Sequence, residues 1–189
     1  MSQNPKSELI LSKFKSLSGT SFMMAPLQSE PQKQSGFSKI GYQSNTHNYI
    51  FFNKETVTFT KLLPTNDYLI KQTTQLTETG VVENAPYGVK PELRCDEKSQ
   101  TIRWLLYLVV NQYTNSDKQL SPKDITNLAM SDVSGKNYTE LIPGIQIILG
   151  LTLKNAQQLI VIYRKDNQNQ VSIIDLLKRE VTLTQDISI

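Results

Sequence analysis

The sequence is short of most things that mark a metalloenzyme or a disulfide scaffold. Its 189 residues hold one cysteine, Cys95, one histidine, His47, and one tryptophan. A single cysteine forms no intrachain disulfide, which fits a reducing, cytoplasmic setting. A single histidine leaves no His-rich metal site. The eight glycines are scattered and match neither G-x-G-x-x-G nor G-x-x-x-x-G-K-[ST], so no phosphate-cradling loop is present. Long apolar runs are missing too. Leu9-Ile10-Leu11 is soon interrupted by Lys13 and Lys15, too short for a secretory leader, and the apolar stretch 104–110 ends at Asn111, too short to span a bilayer. The sequence alone thus points to a soluble protein with no membrane partner.

Charged residues are 20% of the chain and hydrophobic ones 38%, both a little low. The difference is made up by neutral polarity, since 63 of the 189 residues are Ser, Thr, Asn or Gln. That composition excludes collagen, a disulfide scaffold and a multi-pass membrane protein. The net charge of +3 is too small to require a polyanionic partner, but it is unevenly spread. Residues 1–71 carry 8 Lys against 4 acids, whereas residues 99–189 carry 9 bases against 8 acids. A nucleic-acid footprint therefore belongs in the N-terminal third.

Along the chain, residues 6–17 place Ile10, Phe14 and Leu17 on one helical face, with Gly19 as a stop. Residues 26–36 contain two prolines and a glycine and read as a linker. Residues 48–53, 56–62 and 67–73 read as strands, with Val57 and Phe59 alternating against three threonines and Asn53-Lys54-Glu55 as the first turn. His47, among Asn45, Thr46 and Asn48, reads as part of a turn. Residues 99–113 follow with apolar positions at 102, 105, 106, 109 and 110, a helical spacing capped by Ser99. Ser121-Pro122 starts a short helix to about residue 130, and residues 138–151 form a third, kinked at Pro143-Gly144. Residues 158–164 and 170–176 make a β-hairpin around Asp166–Asn169.

The expected fold is α+β. It comprises an N-terminal helix and linker (1–36), a small antiparallel β part (37–92), and a helical part with a C-terminal β-hairpin (93–189). Helix, short helix, helix and hairpin in that order give the last part a winged-helix-like topology.

Winged-helix topology serves protein contacts as well as DNA. The leading expectation is a non-catalytic macromolecular binding or assembly protein, a subunit or adaptor of a larger complex, with no cofactor, no metal and no catalytic residue. Its partner is then another protein or a macromolecular complex. The competing expectation is a nucleic-acid-binding regulator contacting DNA or RNA through Lys39, Lys54, Lys61 and Lys71 beside the aromatics of the β part, and through Lys136, Asn137, Arg164 and Lys165 of the winged helix. The aromatics Tyr49 and Phe51, with Val57 and Phe59, read first as a sheet core. Cys95 sits between Arg94, which favours a thiolate, and Asp96 and Glu97, which oppose it, so it reads as a structural thiol.

Overall fold

The computed structural model describes residues 8–30, 32–34, 41–43, 45–83, 101–114, 120–121 and 123–188 (for 32–34, 41–43 and 82–83 the backbone alone). Among them there is no helix, and every strand pairing is antiparallel. Sixteen strands follow one another: β1 (Leu9–Leu11), β2 (Lys15–Ser16), β3 (Phe22–Ser29), β4 (Gln32–Gln34), β5 (Gly41–Gln43), β6 (Thr46–Asn53), β7 (Thr58–Lys61) and β8 (Leu69–Leu76), then β9 (Val81–Glu83), β10 (Trp104–Val110), β11 (Thr126–Asp132), β12 (Thr139–Ile145), β13 (Ile147–Asn155), β14 (Gln158–Lys165), β15 (Gln168–Asp175) and β16 (Glu180–Asp186).

The strands build three layers. The ten-stranded sheet runs β1-β3-β6-β8-β10-β11-β12, with β2, β7 and β9 alongside. Its continuity between β6 and β8 rests on one residue pair, Thr46 with Ile70. The sheet folds over there into a first layer around β3 and β6 and a middle layer around β8, β10 and β11. The third layer is the separate meander β13-β14-β15-β16, and β4 with β5 forms a small ribbon of its own. One core lies between the first two layers, where Leu17, Met24 and Phe51 meet Leu105, Tyr107 and Val109. A second lies between the middle and third layers, where Trp104, Leu106, Leu128 and Met130 meet Leu159, Val161, Tyr163 and Ile174.

Strand β10 explains the largest error of the sequence reading. Its alternate side chains enter different cores, so both faces of Trp-Leu-Leu-Tyr-Leu-Val-Val must be apolar. A continuous apolar run fills the i, i+3, i+4 positions of a helix and both faces of a buried strand equally well. The helix expected over residues 99–113 is therefore a central strand, its Ser99 cap lying outside the described residues.

The other helices fail for related reasons. Over residues 6–17 the chain forms β1 and β2, which pair with β3. Ile10, expected inside, is 46% exposed, while Leu17 is buried. Of the helix expected to start at Ser121, only a turn remains, Asp124 N donating to Ser121 O at 3.1 Å, before β11 begins. Residues 138–151 span β12 and β13, which belong to different sheets and meet at a corner where Gln146 N donates to Arg164 O (2.9 Å). Gly144, at φ +81°, sits in the strand before that corner. The α+β and winged-helix expectations are thus replaced by an all-β architecture.

The β expectations fare better. Strands β6, β7 and β8 occupy the three stretches read as strands. β14 and β15 form the expected hairpin, but its turn is only Asp166-Asn167, both at positive φ as a two-residue type I′ turn requires, and the ladder already includes Gln168 and Asn169. Residues 26–29 of the expected linker belong to β3. Val57 and Phe59, expected in the core with Tyr49 and Phe51, are 69% and 65% exposed. Phe59 pairs with Phe52, which points away from the core that takes Phe51. No helix among the described residues is long and apolar enough to cross a membrane.

Candidate functional site

A cleft of about 550 Å³ lies beside the single residue pair that joins the first and middle layers. His47 on β6, Pro64, Thr65, Asn66 and Asp67 between β7 and β8, and Tyr113 just past β10 line it, with Leu9 and Leu120 adding apolar surface. His47 thus stands on a strand, where the sequence suggested a turn.

Two buried polar residues hold the walls. Asn48 is 0% exposed. Its Nδ2 donates to Leu63 O (2.9 Å), Thr65 O (3.1 Å) and Asn66 Oδ1 (2.9 Å), three acceptors sharing two hydrogens. Its Oδ1 accepts from Leu63 N (3.0 Å) and Tyr49 N (2.9 Å). Every hydrogen-bonding atom of this amide is engaged, as burial demands, and the 63–66 loop is fixed to β6. Asp124, 2% exposed, does the same for the opposite wall. One carboxylate oxygen accepts from Thr114 N (2.7 Å) and Thr114 Oγ1 (2.9 Å), the other from Ser121 N (2.9 Å) and Ser121 Oγ (3.2 Å). Led by the Thr114 amide, these donors hold the carboxyl at about 2, against burial, which pushes it up. Lys71 is shifted below its ordinary value by burial, an effect that Asp124 opposes.

The cleft offers an imidazole, a carboxylate, an amide and a phenol beside leucine and proline, a lining suited to a small polar ligand. Among the described residues no three of His, Cys, Asp and Glu gather into a metal-holding group. Cys95 lies outside the described residues.

The nucleic-acid candidates are dispersed. Lys39 lies outside the described residues. Lys54 sits in the turn after β6, Lys61 pairs with Ile50 mid-strand, and Lys71 follows Ile70, the partner of Thr46. They are therefore spread along β6, whose span is about 23 Å at roughly 3.3 Å per residue. Lys136 and Asn137 occupy the β11–β12 turn, where Asn137 Nδ2 donates to Asp132 Oδ2 (2.9 Å). Arg164 and Lys165 lie at the other end of β12, Arg164 Nε donating to Asn169 Oδ1 (3.1 Å) and the Lys165 stem beside Gly144.

The sequence reading missed the two outer sheet faces. On the third layer Ile160 pairs with Ile173, Ile162 with Val171, and Ile173 with Leu183, so all five share one face. That face is opposite to Leu159, Val161 and Ile174, and its residues belong to neither core. On the first layer Phe52 and Phe59 stack at 4.8 Å between centroids, and Phe14 meets them at 6.3 and 6.4 Å. The signal was present for the third layer: five consecutive apolar residues, Leu159 to Tyr163, are the pattern of a strand covered on both sides. No protein-family model matches the chain, and no curated protein matches it significantly.

Proposed function

We propose that the protein is a non-catalytic binding and assembly module, a subunit or adaptor that docks a second macromolecule through the outer face of β13–β16. One observation carries this reading: Ile160, Ile162, Val171, Ile173 and Leu183 form a contiguous row outside both cores, with Leu183 41% exposed. An antiparallel sheet with one face in water normally alternates apolar-in and polar-out, and here the alternation is lost on the open side. Four strands of about eight residues present about 500 Å² of projected face at sheet spacings, its polar positions included. With one cysteine in the chain, the module fits a reducing, cytoplasmic setting.

The reading is tested with a photo-crosslinking amino acid placed at position 173 in living cells, and at position 136 as a control. The expected result is a discrete adduct from position 173 alone that Leu183→Glu abolishes. No adduct, or one indifferent to Leu183→Glu, overturns the reading.

A further inference from the structure

Burying a polar side chain is costly unless its hydrogen bonds to water are replaced, so two such groups serving one small cleft mark a geometry that is held in place. Asn48 and Asp124 are those groups, and the residues lining the cleft between the first and middle layers stand beside what they grip. Asn48 follows His47 and bonds Thr65 O and Asn66 Oδ1. Asp124 holds Thr114 with one oxygen and Ser121 with the other. Tyr113 and Leu120, the residues just before those two, are thereby fixed at the opposite wall. Asp67 N donates to Thr65 Oγ1 at 3.4 Å, closing the loop that presents the Asp67 carboxylate. The walls are set before any ligand arrives, which spares a ligand the cost of ordering them.

The side chains on those walls are unspent. Among the described residues, His47, Asp67 and Tyr113 make no side-chain hydrogen bond or ion pair. The Asn66 amide, its oxygen taken by Asn48, keeps its Nδ2 as a free donor. The Tyr113 ring is 61% exposed. With histidine counted as neutral, Asp67 is the one charged group of the described lining, and no lysine or arginine joins it there. Behind the wall, Asp124 is faced by Lys71. An anionic ligand would meet the Asp67 carboxylate with no cation in the lining to balance it. An ammonium would meet a charged acceptor, which makes the stronger class of hydrogen bond, and a tyrosine ring, whose face attracts cations. Leu9, Pro64 and Leu120 offer apolar cover for the rest of such a molecule. The cleft, at about 550 Å³, has the size of a small-molecule site. We propose that it binds a small organic amine, with the ammonium on the Asp67 carboxylate and the apolar body against Tyr113, Pro64 and Leu120. The site belongs to the first and middle layers and is independent of the face of β13–β16.

The test is two-dimensional amide NMR on the full chain, titrated with benzylamine and with butylamine. Benzyl alcohol and benzoate serve as the neutral and anionic counterparts. At least one amine is expected to saturate in the millimolar range, with its shifts gathered at residues 47, 65–67 and 113. The alcohol and the carboxylate are expected to bind more weakly by about tenfold or more, the weight of a charge-assisted hydrogen bond. Asp67→Asn is expected to weaken amine binding by about tenfold, and Tyr113→Leu by about two- to fivefold. Both side chains are exposed, so the thermal midpoints of the two variants are expected to match the wild type. Four results each overturn amine binding at this cleft: shifts that saturate with neither amine, shifts centred elsewhere, equal or tighter binding of benzyl alcohol or benzoate, and amine binding indifferent to Asp67→Asn. Crosslinking at position 173 reads a different face, so failure here and failure there are distinguishable.

Discussion

At the scale of single residues, two side chains show how a polar sequence builds a rigid site. Asn48 is an unusual strand residue, since asparagine is depleted in sheets, and it is followed by Tyr-Ile-Phe-Phe. Its burial is compensated because the 63–66 loop supplies backbone and side-chain partners on three sides. Asn48→Ala leaves the Leu63 amide and carbonyl without that partner, at an expected cost of about 2–4 kcal/mol from buried groups left unsatisfied, measurable by urea unfolding. Asp124 makes the fold sensitive to acid. Its carboxyl is held at about 2, below the ordinary 3.8, so its contribution is fully present above pH 4 and is lost as pH falls toward 2. Wild-type stability is expected to fall through that window, and Asp124→Asn is expected to start less stable and to fall less steeply, as read by thermal unfolding against pH. Neither role was legible beforehand. A lone Asn or Asp carries no periodicity, and its decisive partners, Thr114 for Asp124 and residues 63–66 for Asn48, lie 10 to 18 residues away.

At the scale of elements, the sequence distinguished strands from helices only where one face is wet. β6, β8 and the β14–β15 hairpin carry enough Thr, Gln, Asn or turn chemistry to be read directly. β10 does not, because both of its faces are dry. The difference in burial has an energetic counterpart. Leu106, 2% exposed inside the second core, is expected to cost about 2–5 kcal/mol when replaced by alanine. Ile173→Ala, on the open face of β15, is expected to cost well under half as much in the isolated chain, as read from denaturant midpoints. Equal costs would place Ile173 in a closed core and remove it from the docking surface. β12 and β13 show a second limit. Pro143-Gly144 announces a break, but the break here precedes a corner between two sheets rather than a helix kink.

At the scale of the whole molecule, three stacked layers account for the composition. A stack needs apolar side chains on both faces of its middle layer, and the polar remainder goes to turns and edges, where Ser, Thr, Asn and Gln bond locally. Asp132 with Ser134 and Asn137, and Asn53 with Glu55 and Thr56, are examples. The sequence by itself determined the antiparallel hairpins, a turn somewhere within residues 166–169 and the apolar identity of the later core strands, because period-two alternation, turn residues and hydrophobicity are local properties. Only the tertiary structure decided that the apolar runs are strands, that the basic residues spread along β6 and to opposite ends of β12, and which apolar faces stay open. The physical reason is that a side chain's burial depends on which sheet packs over it, and that sheet is supplied by residues far away in the chain.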